Sequence, residues 1–173
     1  MRRRGFTRSP GKVFNKPIYK RIEPLLGELV KISKRYWGGD LLSLVIFGSY
    51  AKGEISTSSD LDLLVLVKKS PLPFRSRSME FMDFLEREIE LPFRLNFSPF
   101  VLTEEEARRF HPLLLDIERD HLILYDEGFF ERLLRAIKEM YRKGVVEEMR
   151  RGGKVYWRID YEKIGEGLPL QGS

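Results

Sequence analysis

The chain has no cysteine among its 173 residues, so neither a disulfide framework nor a thiolate metal site is open to it. Its two histidines, His111 and His121, stand in no H-x-x-x-H spacing, and both are read as structural. No apolar run approaches the roughly 18 residues of a membrane span. The opening "MRRRGFTRSPGK" carries positive charge with no apolar segment behind it, which does not read as a secretory signal. These absences fit a cytoplasmic protein. Heavy use of Arg, Lys and Glu with no Cys also suits a thermophile.

What is present describes a globular chain, 42% hydrophobic and 33% charged, long enough for one filled core or one core with a small appendage. Its net charge of +5 is unevenly placed. Residues 1 to 22 hold eight basic side chains and no acid, which leaves −3 (+5 less 8) on the other 151 residues. The body is mildly acidic and carries a basic arm over residues 1–20. Such an arm is able to contact nucleic acid, although a short basic tail is more often a solvated terminus.

Apolar spacing predicts an amphipathic helix over "EPLLGELVKISKRYWGGD", stopped by Gly38-Gly39. "LLSLVIF" (41–47) and "LDLLVLV" (61–67) are apolar at nearly every position, as expected of strands covered on both faces. Residues 75–90 read as a helix. "FRLNFSPFVL" (93–102) alternates as a third strand, with Pro99 marking an edge or bulge. Thr103 ahead of three glutamates starts a helix. A short strand is expected around "RDHLILYD", a helix over 128–143, and a hairpin about Gly152-Gly153. The sum is an α/β (α+β) chain with a small mixed sheet, helices packed mainly on one face, and a C-terminal helix–hairpin extension over 126–173 behind a domain over 21–125.

The chemistry concentrates in "FGSYAKGEISTSSDLDLLVLV" (47–67). Asp60 and Asp62, at i and i+2 on a strand, point to one face about 6 to 7 Å apart along the chain. Two such carboxylates repel unless a cation joins them, and oxygen-only ligands select a hard one, Mg²⁺ or Mn²⁺ in its place. Gly48 lets the backbone approach a ligand closely, and Ser49 opens a short helix whose free N–H groups suit a phosphate. A phosphate cradle beside two metal-binding carboxylates is equipment for a Mg-nucleotide. Gly48 and Gly53 have P-loop spacing, but Glu54-Ile55 stand where Lys and Ser or Thr are required.

Gly48-Ser49-Tyr50-Ala51-Lys52-Gly53, then Ser59-Asp60-Leu61-Asp62-Leu63 resembles the signature of minimal nucleotidyltransferases of the DNA polymerase beta superfamily. Lys52 takes the place of that signature's arginine, and the resemblance covers about residues 41–103. It implies a nucleotidyltransferase fold and transfer of an NMP, AMP first, from an NTP such as ATP to an acceptor hydroxyl. Gly48, Ser49, Lys52 and Ser59 would serve the nucleotide, and Asp60 and Asp62 the metal. Family sites add a third carboxylate from a neighbouring strand. Here the matching position is Asn96, and residues 91–103 hold no Asp or Glu. Glu88 and Glu90 lie ahead of that strand. Asparagine brings neither charge nor base, so the expectation is Mg-nucleotide binding with slowed or absent transfer. The acceptor is a protein, small molecule or nucleic acid. Two alternatives stand: an antitoxin-type partner of a HEPN protein, and a nucleotide-binding pseudoenzyme with nucleic-acid contacts through the arm.

Overall fold

The computed structural model describes residues 17–56, 59–91 and 95–164. Of the basic arm read over 1–20, residues 1–16 lie outside the described residues, as do residues 92–94, while 17–20 are already helical.

Helix α1 (Pro17–Trp37) buries Ile22, Leu25, Leu26, Leu29 and Ile32 along one stripe. Gly38, at φ +57°, turns the chain out of it. Strand β1 (Leu41–Ile46) leads into the short helix α2 (Gly48–Lys52), and strand β2 (Leu61–Val67) returns antiparallel beside β1, with Ile46 opposite Leu63. Helix α3 (Phe74–Glu88) crosses over to β3 (Phe97–Thr103), which lies parallel to β2. Then come α4 (Glu104–Arg108), α5 (Leu113–Arg119), β4 (Leu122–Asp126) and α6 (Phe129–Arg142). The four strands form one mixed sheet in the order β3-β2-β1-β4. Strands β5 (Val146–Arg151) and β6 (Lys154–Ile159) form a separate hairpin, and α7 (Tyr161–Ile164) ends the described chain.

The mixed sheet is as expected, but the helices cover both of its faces rather than mainly one. Leu44, Ile46, Leu63 and Val65 pack with α1 and α3. Val45, Leu64 and Leu66 pack with α5 and α6 through Leu115, Phe130, Leu133 and Ile137. The cause is in the strands: successive side chains of β1 and β2 are apolar and point to opposite faces, so each face needs a helical layer. Each fully buried large side chain contributes about 1.5–3 kcal/mol.

Strand β3 starts at Phe97, not at 93, and it is an outer strand of the sheet, as Pro99 foretold. Arg77 and Ser78 of α3 occupy its free backbone: Arg77 Nε donates to Val101 O at 3.0 Å, and Val101 N donates to Ser78 Oγ at 3.3 Å. Among the described residues no helix is long and apolar enough to cross a membrane.

A candidate nucleotide site at the end of the first hairpin

Two backbone events bring the quoted stretch together. The β1–β2 ladder ends with Phe47 N donating to Asp62 O at 3.1 Å, so the Gly48 turn is laid over the start of β2. Beyond it, Glu54 N donates to Ser49 O at 2.9 Å, and Gly53, at φ +74°, closes α2. The chain comes so close to itself here that Gly48 has no room for a side chain. A Cβ on it would lie 2.0 Å from Asp62 Oδ2, and its own φ is +67°. The Gly-Ser turn and the second aspartate are therefore one site.

On its other side Asp62 pairs with Ser98 across the parallel β2–β3 ladder. Burial pushes the Asp62 carboxyl above its ordinary value. A hydrogen bond from Ser98 opposes this, the Asp60 charge adds to it, and Lys52 opposes it. Asp60 is exposed and accepts a hydrogen bond from Asn96 Nδ2 at 3.0 Å. Asn96 O in turn accepts from Leu61 N at 2.9 Å, which fixes Asn96 one residue before β3 and level with the aspartates. Burial, with Asp60 assisting, also raises the Tyr50 hydroxyl.

Gly48, Lys52, Asp60, Asp62 and Asn96 are thus brought together. Ser49 is the second residue of α2 and half-buried. Ser59 is turned to the loop instead: Ser56 N donates to its Oγ at 2.9 Å, and the two hydroxyls lie 3.1 Å apart. Glu88 is held away in an ion pair with Arg35. Ser98 is a site residue that the sequence does not single out, because its contact with Asp62 depends on the parallel register, which no local pattern reveals.

The donor set is all oxygen, two carboxylates and the Ser98 hydroxyl, with the Asn96 amide turned to Asp60 by its nitrogen. That chemistry, and the repulsion between Asp60 and Asp62, fits a hard divalent cation. Among the described residues no cluster of three or more His, Asp or Glu side chains assembles. The remaining ligands of an octahedral ion would have to come from phosphate and water.

A family model described as "Nucleotidyltransferase domain" matches residues 26–150. The chain belongs to this nucleotidyltransferase domain family. It is 30% identical over 127 residues to a Methanocaldococcus jannaschii protein named "Putative protein adenylyltransferase MJ1305", covering 72% of this chain and 86% of that one. A crystal structure of "a putative nucleotidyltransferase from Sulfolobus solfataricus" is 24% identical, with TM-score 0.43, covering 69% of this chain and 95% of that one. An MNT antitoxin structure, solved with a tri-AMPylated Shewanella oneidensis HEPN toxin, is 13% identical with TM-score 0.42, covering 70% and 91%.

Proposed function

We infer that the chain moves a nucleoside monophosphate, AMP first, from a Mg-NTP to an acceptor hydroxyl, and that its chemical step is slow. The observation that carries this is the close approach of Asp62 Oδ2 to the side-chain-free Gly48. It sets the turn directly against the second of the two carboxylates, so a triphosphate tail taken by the turn's backbone would lie beside them. Asp60 and Asp62 are the residues that would hold Mg²⁺, or Mn²⁺ in its place. When bound, such an ion neutralises charge developing on the phosphoryl oxygens. Lys52 adds positive charge beside the same carboxylates. In the transfer, the acceptor oxygen bonds to the α-phosphorus as the bond to the bridging oxygen breaks. Pyrophosphate leaves, and the acceptor proton passes to solvent.

Slowness follows from Asn96. It holds Asp60 in place through its amide but takes no proton, and losing a general base typically costs on the order of 10² to 10⁴ in rate. Asn96→Asp is expected to recover a good part of that factor.

The relative's name makes a protein the first acceptor to try. The test is incubation with α-labelled ATP, Mg²⁺ and cell extract. A labelled band that disappears in Asp60→Ala and strengthens in Asn96→Asp supports the reading. Magnesium-dependent NTP binding with no labelled product points to the pseudoenzyme, and no magnesium-dependent uptake of any NTP by calorimetry removes the whole assignment. A small helical protein co-purifying with the chain and carrying the label would identify a HEPN-type partner.

A further inference from the structure

The β5–β6 hairpin has two unlike faces. Its inner face is anchored: Val146, Trp157 and Ile159 pack on the α5–α6 layer, and Trp157 Nε1 donates to Asp116 Oδ1 at 3.1 Å. The register puts three other cross-strand pairs on the outer face: Glu147 with Arg158, Met149 with Tyr156, and Arg151 with Lys154. All six residues are exposed, and Met149 and Tyr156 are 50% and 51% accessible.

The charges on this hairpin are handled selectively. Arg158 is neutralised by Glu147 at 2.5 Å, and Arg150 by Glu148 at 2.7 Å. Arg151 and Lys154 face each other directly and, among the described residues, have no acidic partner. Like charges directly opposite in a ladder are destabilising, and a broken local rule without a compensating contact marks a functional surface. Along β6 the outer Tyr156 lies between Lys154, which is left uncompensated, and Arg158, which Glu147 neutralises. A flat ring beside the uncompensated Arg151–Lys154 pair offers a base a stacking surface and a backbone its counter-charges.

We propose that this outer face binds single-stranded nucleic acid, with Tyr156 and Met149 under a base and Arg151 and Lys154 on adjoining phosphates. A duplex keeps its bases stacked inside and cannot use the Tyr156 ring, so the single strand is the form selected. The site is separate from the carboxylate pair and requires no NTP.

The test uses the full chain and a fluorescein-labelled 12-nucleotide RNA of mixed sequence, read by anisotropy across a salt series without NTP. Tyr156→Ala is expected to weaken binding about thirtyfold, the middle of the range for one base–aromatic stack, while Tyr156→Phe retains it. Arg151→Glu with Lys154→Glu is expected to flatten the slope of log K against log salt by about 1.4, two phosphates at about 0.7 each. The basic arm is the same in every variant, so the Tyr156 comparison isolates the hairpin. The proposal is overturned if no RNA binds, or if Tyr156→Ala and the double charge variant both stay within twofold of the parent. Poly-glutamate binding as tightly as the RNA, with no response to Tyr156→Ala, would assign the face to an acidic protein and equally overturn it.

Discussion

Two residues decide whether the site exists, and their demands on the fold conflict with stability. Gly48→Ala forces a Cβ into the Asp62 carboxylate from a backbone already at φ +67°. Gly38, at φ +57° with nothing within 4 Å of its would-be Cβ, is the control, since Gly38→Ala meets only the backbone strain. Both variants should lose about 1–2 kcal/mol of stability from that strain. Only Gly48→Ala should lose magnesium-dependent ATP uptake, by at least tenfold in calorimetry; equal uptake by both would separate the turn from the carboxylates. Asp62 conflicts with stability in another way. Its folded-state pKa is raised, chiefly by burial, so the folded chain holds its proton more tightly than the unfolded one. Stability therefore falls as pH rises from the ordinary carboxyl value of 3.8 through the raised one, and the cost is fully present above it. In EDTA at neutral pH, Asp62→Asn should raise the Tm, and the gain should vanish as pH falls below 3.8. Saturating Mg-ATP should reverse the order by stabilising only the parent. At this scale the sequence was informative for the motif, because Asp60 and Asp62 lie one residue apart. It was silent on Ser98, whose partner is set by a pairing 36 residues distant in the chain.

Elements were legible where they were long or bounded by strong chemistry. The continuous apolar runs gave β1 and β2 almost to the residue, and Thr103 with its glutamates gave the start of α4. The elements not read were α5, seven residues following Pro112, and α7, four residues after the hairpin, both too short for a helical period to stand out. The cap of α4 has a second duty that only the fold exposes. Thr103 Oγ1 accepts from Glu106 N at 3.3 Å and Glu106 Oε2 accepts from Thr103 N at 2.9 Å, a reciprocal capping box. The same Glu106 carboxylate pairs with Arg77, whose side chain is only 3% exposed. Thr103→Ala removes one half of the box and should cost about 1 kcal/mol. Glu106→Ala also strands a buried guanidinium and should cost about 3 kcal/mol or more. Urea midpoints at unchanged m-value are the measurement. Similar costs for both would mean that Arg77 does not depend on this partner.

For the whole molecule, the open matter is where the nucleotidyltransferase body ends. The sequence suggested a boundary near 125 because the site motifs stop well before it, and a helix followed by a hairpin looks detachable. Packing argues that helix and hairpin are not equivalent. Helix α6 places Phe129, Phe130, Leu133, Ile137 and Met140 in the layer under β1 and β2, each no more than 4% exposed. At about 1.5–3 kcal/mol for each such side chain, their removal takes away roughly 7 to 15 kcal/mol, as much as the whole net stability of a domain of this kind. Asp126 also ties α6 to the sheet, since it accepts from Ser43 Oγ at 2.7 Å and from Phe130 N at 3.0 Å. The hairpin adds the buried Val146 and the partly buried Trp157 and Ile159, a smaller share. A chain ending at residue 125 is therefore expected not to fold, whereas one ending at 143 should fold with a lower Tm and keep magnesium-dependent ATP uptake, since Gly48, Asp60, Asp62 and Asn96 all precede the cut. Far-UV circular dichroism and calorimetry on the two truncations check this directly. A cooperative unfolding transition in the shorter one would make α6 an accessory, and loss of ATP uptake in the longer one would tie the hairpin to the nucleotide site.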